Sequence, residues 1–233
     1  MQKVLKDLSI TIYESDFTII MGASGSGKST LLYALSGMDK VTGGSVRFLK
    51  TPIDKLSADE LAIFRRHNCG FVFQQIYLLD SLSVLDNILI SGLLIGSNIK
   101  YIESEAKKLL KKVGISKTIW RKFPNQLSGG ENQRAAIVRA LINKPRVVFA
   151  DEPTGALNSA SGKAVLDVLT DINNDGQTVV MVTHDINSAL RGNRVLFIRD
   201  GIIYGECYLG RYIDHYSSER HLKLQTFLNE MGW

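Results

Sequence analysis

FTIIMGASGSGKSTLLYALSG, residues 17–37, joins a strand, a glycine-rich loop and a helix in a single run. Phe17 to Met21 is a short apolar, β-branched segment of the kind that fills a buried strand, and LLYALSG reads as a helix. Between them stand Gly22, Ala23, Ser24, Gly25, Ser26, Gly27, Lys28, Ser29 and Thr30. Gly, four residues, then Gly-Lys-Ser, placed between strand and helix, is the pattern of a phosphate-binding loop. Glycines 22, 25 and 27 let the backbone curl with its N–H groups inward, and the helix that follows offers the positive end of its dipole to the same anion. Lys28 can then reach the β- and γ-phosphates of a nucleotide, and the Ser29 hydroxyl can ligate Mg²⁺. A flexible Gly/Ser turn explains neither the Lys-Ser pair nor its flanking elements.

Outward from the loop, Phe71 to Phe73, Val147 to Ala150, Thr178 to Val182 and Val195 to Ile198 repeat the short apolar pattern and alternate with helical stretches. That rhythm predicts an α/β fold with a mostly parallel sheet. Arg199-Asp200-Gly201 between two apolar runs predicts a hairpin and hence an antiparallel β portion. Residues 76–127 hold two amphipathic helical patterns and no strand, which predicts a helical subdomain inserted into a core made of 1–75 and 128–206. Residues 207–233 form a C-terminal extension, where Leu224, Phe227, Leu228 and Met231 predict a helix from Ser217 packed on the body.

The 233 residues are 45% hydrophobic, enough for one substantial core, and their formal charge of +5 permits an anionic partner without requiring one. The basic cluster Lys107, Lys108, Lys111 and Lys112 reads as one solvated helix face, so no nucleic acid is expected. Cys69 and Cys207 are too few for a disulfide framework or a familiar zinc site, which fits a reducing cytoplasm. MQKVLKDLSITI lacks a signal-peptide pattern. Leu78 to Ile99, the most apolar stretch, is broken by Asp80, Asp86 and Asn87, so a membrane role calls for a partner chain.

Two more segments carry chemistry. RVVFADEP, Arg146 to Pro153, is an apolar strand ending in two carboxylates at the sheet edge where ligands of open α/β folds bind. Asp151 can hold magnesium through its water shell, and Glu152 can polarise an attacking water as general base. In LSGGENQR, Leu127 to Arg134, Ser128 and Glu131 make a capping box, while Gly129 and Gly130 leave bare backbone where the helix dipole is positive. This second phosphate receptor suits the nucleotide of another subunit.

GASGSGKST, LSGGENQR and VVFADEP in one chain, with Gln74 after FVF and His184 in VMVTHD, resemble the ATPase subunits of ATP-binding-cassette transporters over essentially the whole chain. The resemblance implies a P-loop NTPase core and the cofactors ATP and Mg²⁺. It implies that Gln74 contacts the metal and attacking water, and that His184 contacts the γ-phosphate and supports Glu152. It also implies that two copies close around two ATP molecules. Ala156-Leu157-Asn158 matches the loop that communicates across such a dimer, with Asn158 where the family usually has Asp. The family stacks adenine on an aromatic residue farther upstream than the 21 residues preceding Gly22 here, and Tyr13 lies too close to replace it. Either the chain starts late, or base recognition is weak or supplied otherwise, and weakened adenine selectivity is the expectation.

IMGASGSGKSTLLYALSGMD, GFVFQQIYLLDSLSVLDNI and ADEPTGALNS, with Glu131 where many importers carry Gln, look most like the group serving macrolide export, lipoprotein release and bacitracin-type peptide resistance. That resemblance implies a separate integral-membrane permease, docked near Leu78 to Ile95, and a place on the cytoplasmic face of the membrane. Soluble relatives in translation resemble two fused cassettes, and those in DNA repair insert a long coiled coil; this chain does neither. A non-transporting cell-division cassette stays open.

Overall fold

The structure is a computed structural model describing residues 4–213 and 218–233. In chain order it runs β1 (Phe17–Met21), α1 (Lys28–Leu35), β2 (Arg47–Phe48), β3 (Thr51–Pro52), α2 (Ala58–Asn68), β4 (Cys69–Phe73), α3 (Val84–Leu93), α4 (Ile99–Lys112) and α5 (Gly129–Leu141). It continues through β5 (Val147–Asp151), α6 (Ser159–Asn174), β6 (Thr178–Val182), α7 (Ile186–Ala189), β7 (Arg194–Arg199), β8 (Ile202–Tyr208) and α8 (Ser218–Glu230). β1 pairs in parallel with β6 and β7, as β4 does with β5, whereas β2–β3 and β7–β8 are antiparallel. The fold is therefore mixed α/β, mostly parallel with an antiparallel portion, as expected. The chain divides into two compact units: one combines the chain up to Leu56 with that from Thr170 onward, and the other is Ser57–Leu169.

In the first unit β1 lies between β6 and β7, with Phe17 opposite Val179 and Ile20 opposite Leu196. Every residue of β1 and β6 is buried, which is why both read as continuous apolar runs. Flanked on both sides, β1 holds its carboxyl end firmly, and the phosphate loop starts there. β7 turns into β8 through Asp200 and Gly201, at φ 53° and 81°; Arg199 faces Ile202, giving a two-residue hairpin of type I′. Helix α8 buries Leu224, Phe227 and Leu228, and Gly205 of β8 leaves room for Met231 and Phe227. Ser217, where this helix was expected to begin, lies outside the described residues. Arg220 anchors the helix by donating to the carbonyls of Leu190, Gly192, Leu209 and Gly210.

In the second unit β4 and β5 run in register, Cys69 opposite Val147 through Phe73 opposite Asp151. Helices α3, α4 and α5 share a core of Val84, Leu85, Ile88, Ile102, Ala106, Leu110, Ala135, Val138 and Ile142, closed by Trp120. Ile102, Ala106 and Leu110 recur every fourth residue on one face of α4, while its lysines face solvent, Lys107 and Lys108 pairing with Glu103 and Glu105. Neither Cys69 nor Cys207 forms a disulfide, and burial pushes the Cys69 thiol up to about 12, with Arg65 opposing.

Candidate functional site

Gly22 opens the phosphate loop at φ 151°, where a Cβ would sit 2.1 Å from the Ile198 carbonyl oxygen, so only glycine fits. Ala23, Ser24 and Gly25 are exposed, whereas Ser26, Gly27 and Lys28 are buried at the base of α1. The Lys28 ammonium curls back to donate to the carbonyls of Gly22 (2.8 Å) and Ala23 (2.9 Å), arching over its own loop. Gly201 of the β7–β8 hairpin donates its N–H to the Ser26 carbonyl at 3.2 Å, bracing the loop from outside. Ser29 and Thr30 lie half-buried in the first turn of α1. In the same unit, His184 is exposed just beyond β6. Its backbone is fixed because Asp185 donates its N–H to Thr183 Oγ1 (3.0 Å) and caps α7 by accepting from the Ser188 N–H and hydroxyl (2.7 Å each). Tyr13 lies 58% exposed with the Arg194 guanidinium 5.3 Å from its ring centre.

The second unit gathers the remaining residues. Because Phe73 faces Asp151 in a parallel pair, Gln74 and Glu152 are each the first residue past their strands, at the same end. Strand β4 thus ends at Phe73, and Gln74 opens the loop. Glu152 has φ 46°, a left-handed conformation costing a non-glycine residue roughly 1–2 kcal/mol. Its carbonyl accepts the Gly155 N–H (3.0 Å). The Gln74 amide lies on that turn, its Nε2 only 2.9 Å from where a Gly155 Cβ would be. Asn158 then caps α6, its Oδ1 accepting the Ser161 N–H at 2.9 Å.

At the head of α5 the capping box forms as read. Glu131 accepts from the Ser128 N–H (2.8 Å) and hydroxyl (2.7 Å), and Ser128 Oγ accepts the Glu131 N–H (3.3 Å). The Ser128 backbone N–H, then its hydroxyl, hold the Glu131 carboxyl below its usual range. Ser128 and Gly129 are exposed, while buried Gly130 lies against Ser161, whose Cβ would be 2.9 Å from an added methyl.

Two polar residues of α5 were not picked out from sequence. Gln133, 1% exposed, donates from Nε2 to the Phe73 carbonyl (2.9 Å), and Arg139 donates to the carbonyls of Ile76 (3.0 Å) and Tyr77. Their signal was an amide and a guanidinium on either side of the apolar run Ala135, Ala136, Ile137 and Val138.

Each of these groups has the chemistry to bind part of a nucleoside triphosphate or its magnesium. The loop has one buried hydroxyl, Ser26 Oγ, with no hydrogen-bond partner among the described residues, beside an ammonium and the N–H groups of a helix start. Ser29, Gln74 and Asp151 supply oxygen donors of the type magnesium takes, and among the described residues no three His, Cys, Asp or Glu side chains form a metal cage of their own. Magnesium is commonly held by few protein groups together with substrate phosphates. No helix among the described residues is long and apolar enough to cross a membrane.

The family model described as ABC transporter matches residues 5–155. The macrolide export ATP-binding/permease protein MacB of Rhodopseudomonas palustris is 45% identical over 87% of this chain, which spans 31% of that protein's length. The bacitracin export ATP-binding protein BceA of Halalkalibacterium halodurans is 43% identical over 90% of this chain and 83% of its own. A solved ATP-binding cassette, dimeric in a post-hydrolysis state with ADP and Pi bound, superposes with a TM-score of 0.80 at 40% identity, covering 90% of this chain and 92% of that one. With phosphate loop, capped LSGGE helix and paired strand-end carboxylates in place, the chain belongs to the ABC transporter family as one of its ATPase cassettes.

Proposed function

We propose that this cassette works in pairs, each ATP held by the phosphate loop of one copy and the Ser128–Glu131 tip of the other, and that hydrolysis drives an integral-membrane permease. The observation that carries this reading is the exposed Ser128 tip: its capping box is complete, and its glycine backbone offers a second anion receptor in a unit that contains no phosphate loop. The dimeric, ADP- and Pi-bound relative supports it.

In this reading the backbone of Gly22 to Gly27 cradles the phosphates, with Thr30 in the first helical turn behind it. Lys28 reaches the β- and γ-phosphates, and Ser29, Gln74 and Asp151 hold Mg²⁺. Bound by these residues, Mg²⁺ would supply neutralisation of the charge that develops on the phosphates. Glu152 takes the proton of the attacking water, and His184 contacts the γ-phosphate. Ser128, Gly129, Gly130 and Glu131 meet the γ-phosphate of the partner's ATP. Preorganised donors and positioning supply the acceleration.

The permease is of the export or peptide-resistance kind, like the systems of the macrolide and bacitracin relatives, and the cassette works at the cytoplasmic face of the membrane; the names of those relatives support this reading. Helix α3 and its flanks support that docking: Val84, Leu85 and Ile88 face the helix's own core, while Ile90 and Leu93 on the helix and Leu79 and Leu94 beside it are exposed. The subdomain 76–127 is then the coupling part.

The test is Glu152→Gln. It should bind ATP as the parent does, form a dimer with ATP on a sizing column, and lose roughly 10²–10⁴-fold in turnover, the usual share of a general base. Parental turnover would refute the base assignment, and a variant that stays monomeric with bound ATP would refute the paired site.

A further inference from the structure

The loop that carries Gln74 is tied at both ends to one helix. Gln133 fixes its start through the Phe73 carbonyl at 2.9 Å, and Arg139 fixes its end through the Ile76 (3.0 Å) and Tyr77 carbonyls. The two donors stand six positions apart, about 9 Å along α5 at 1.5 Å per residue. From the geometry we infer that Gln133 and Arg139 are positioning residues that set where the Gln74 amide stands, so that α5 links Gln74 to the Ser128 tip at its own N-terminus. This rests on the reading that Gln74 serves the metal and attacking water.

Left to itself the loop has little to hold it. Gln74, Gln75 and Tyr77 are exposed, and Tyr77 is left-handed at φ 49°, a conformation that persists only where the surroundings dictate it. The Phe73 and Tyr77 rings meet edge-on at 5.6 Å, closing the loop below Gln74. Opposite them, Gly155 leaves room for the Gln74 amide on the turn that begins at Glu152. The clamp therefore fixes the backbone on either side of Gln74, whose amide lies against the turn that begins at Glu152.

Core packing alone does not account for either side chain. Gln133 is 1% exposed, yet its Oε1 has no partner among the described residues, an uncompensated acceptor that leucine would avoid. Arg139 spends its hydrogen bonds on the two loop carbonyls, and burial lowers its pKa. Both side chains bear a desolvation cost in the service of backbone carbonyls on either side of Gln74.

The experiment is a double-mutant cycle on the full chain, reading kcat and KM for MgATP together with thermal unfolding. Gln74→Ala should lower kcat roughly 10- to 100-fold, as loss of a group beside a metal does. Gln133→Leu should lower kcat in the same direction with KM for ATP held. Added to Gln74→Ala it should cost nothing more, because a positioning residue has no effect once the group it positions is gone. Hydrogen exchange at the amides of residues 74–77 should quicken in Gln133→Leu. If Gln133→Leu does not fold, Arg139→Met in the same cycle takes its place. Multiplicative losses, or a Gln133→Leu enzyme with parental kcat, would overturn the clamp and leave Gln74's role intact. Parental kcat in Gln74→Ala would overturn the reading of Gln74 and the clamp with it.

Discussion

Replacing Gly130 by alanine tests how closely α5 and α6 meet behind the Ser128 tip. The added methyl would lie 2.9 Å from Ser161 Cβ and 3.0 Å from its Oγ. Carbon atoms prefer about 3.5–4.0 Å, so the two helix starts must separate by roughly 0.6–1.1 Å. Overpacking of this kind costs about 1–3 kcal/mol. Alanine is the better helix former by about 0.8–1.0 kcal/mol, which offsets part of that. The net is roughly 1 kcal/mol, a fall in Tm of about 2–4 °C for a chain of this length. Turnover should suffer far more than stability, because a displacement near 1 Å at a reacting centre costs on the order of 10²-fold. Thermal unfolding and steady-state ATPase on Gly130→Ala, Ser161→Gly and the double variant check this. Ser161→Gly removes the obstructing Cβ, so the double variant should recover most of the turnover. A Gly130→Ala protein as active as its parent, or a loss that Ser161→Gly does not relieve, would refute the close-approach argument.

Asn158→Ala removes the acceptor that caps α6 and should cost about 0.5–2 kcal/mol, whereas Asn158→Asp keeps the acceptor and adds a charge favourable at a helix start by about 0.3–1 kcal/mol. Chemical denaturation of the two variants should bracket the parent, and equal stabilities would discount the cap. The Glu131 and Glu60 carboxyls are both held below their ordinary 4.5, by the Ser128 and Ser57 backbone N–H groups first and the serine hydroxyls second. A carboxyl depressed in the folded state stabilises above its unfolded value and loses that contribution as pH falls through the folded one. Tm should therefore drop as pH passes below 4.5, and less steeply in Glu131→Gln, as a pH series of unfolding curves would reveal.

What the sequence disclosed, and what it withheld, follows from how far each contact reaches along the chain. β1 and β6 could be bounded to the residue because all their side chains are buried, so their apolar runs start and stop with the strands. The phosphate loop was legible because its glycine spacing is itself a backbone conformation. Two-residue strands such as Arg47–Phe48 and Thr51–Pro52 show no periodicity and went unseen. Helix α2 also passed unremarked, although Ser57 and Glu60 spell its capping box.

The clamp on Gln74 lay beyond local reading, because its hydrogen bonds join residues 60, 62 and 63 positions apart. Helix α5 looked like a well-capped apolar helix with a few polar residues, and three dimensions give those residues other work. Glu131 holds Ser128, Asn132 donates to the Pro124 carbonyl, and Gln133 and Arg139 hold the strap from Phe73 to Tyr77. Each bonds to a neighbouring loop or cap at a point where backbone geometry matters. Polar residues on a buried helix whose partners are backbone groups of other segments transmit position, since moving the helix moves every segment they hold. On that ground, the tip that would sense a partner's ATP and the amide that would serve this chain's own belong to one mechanical element.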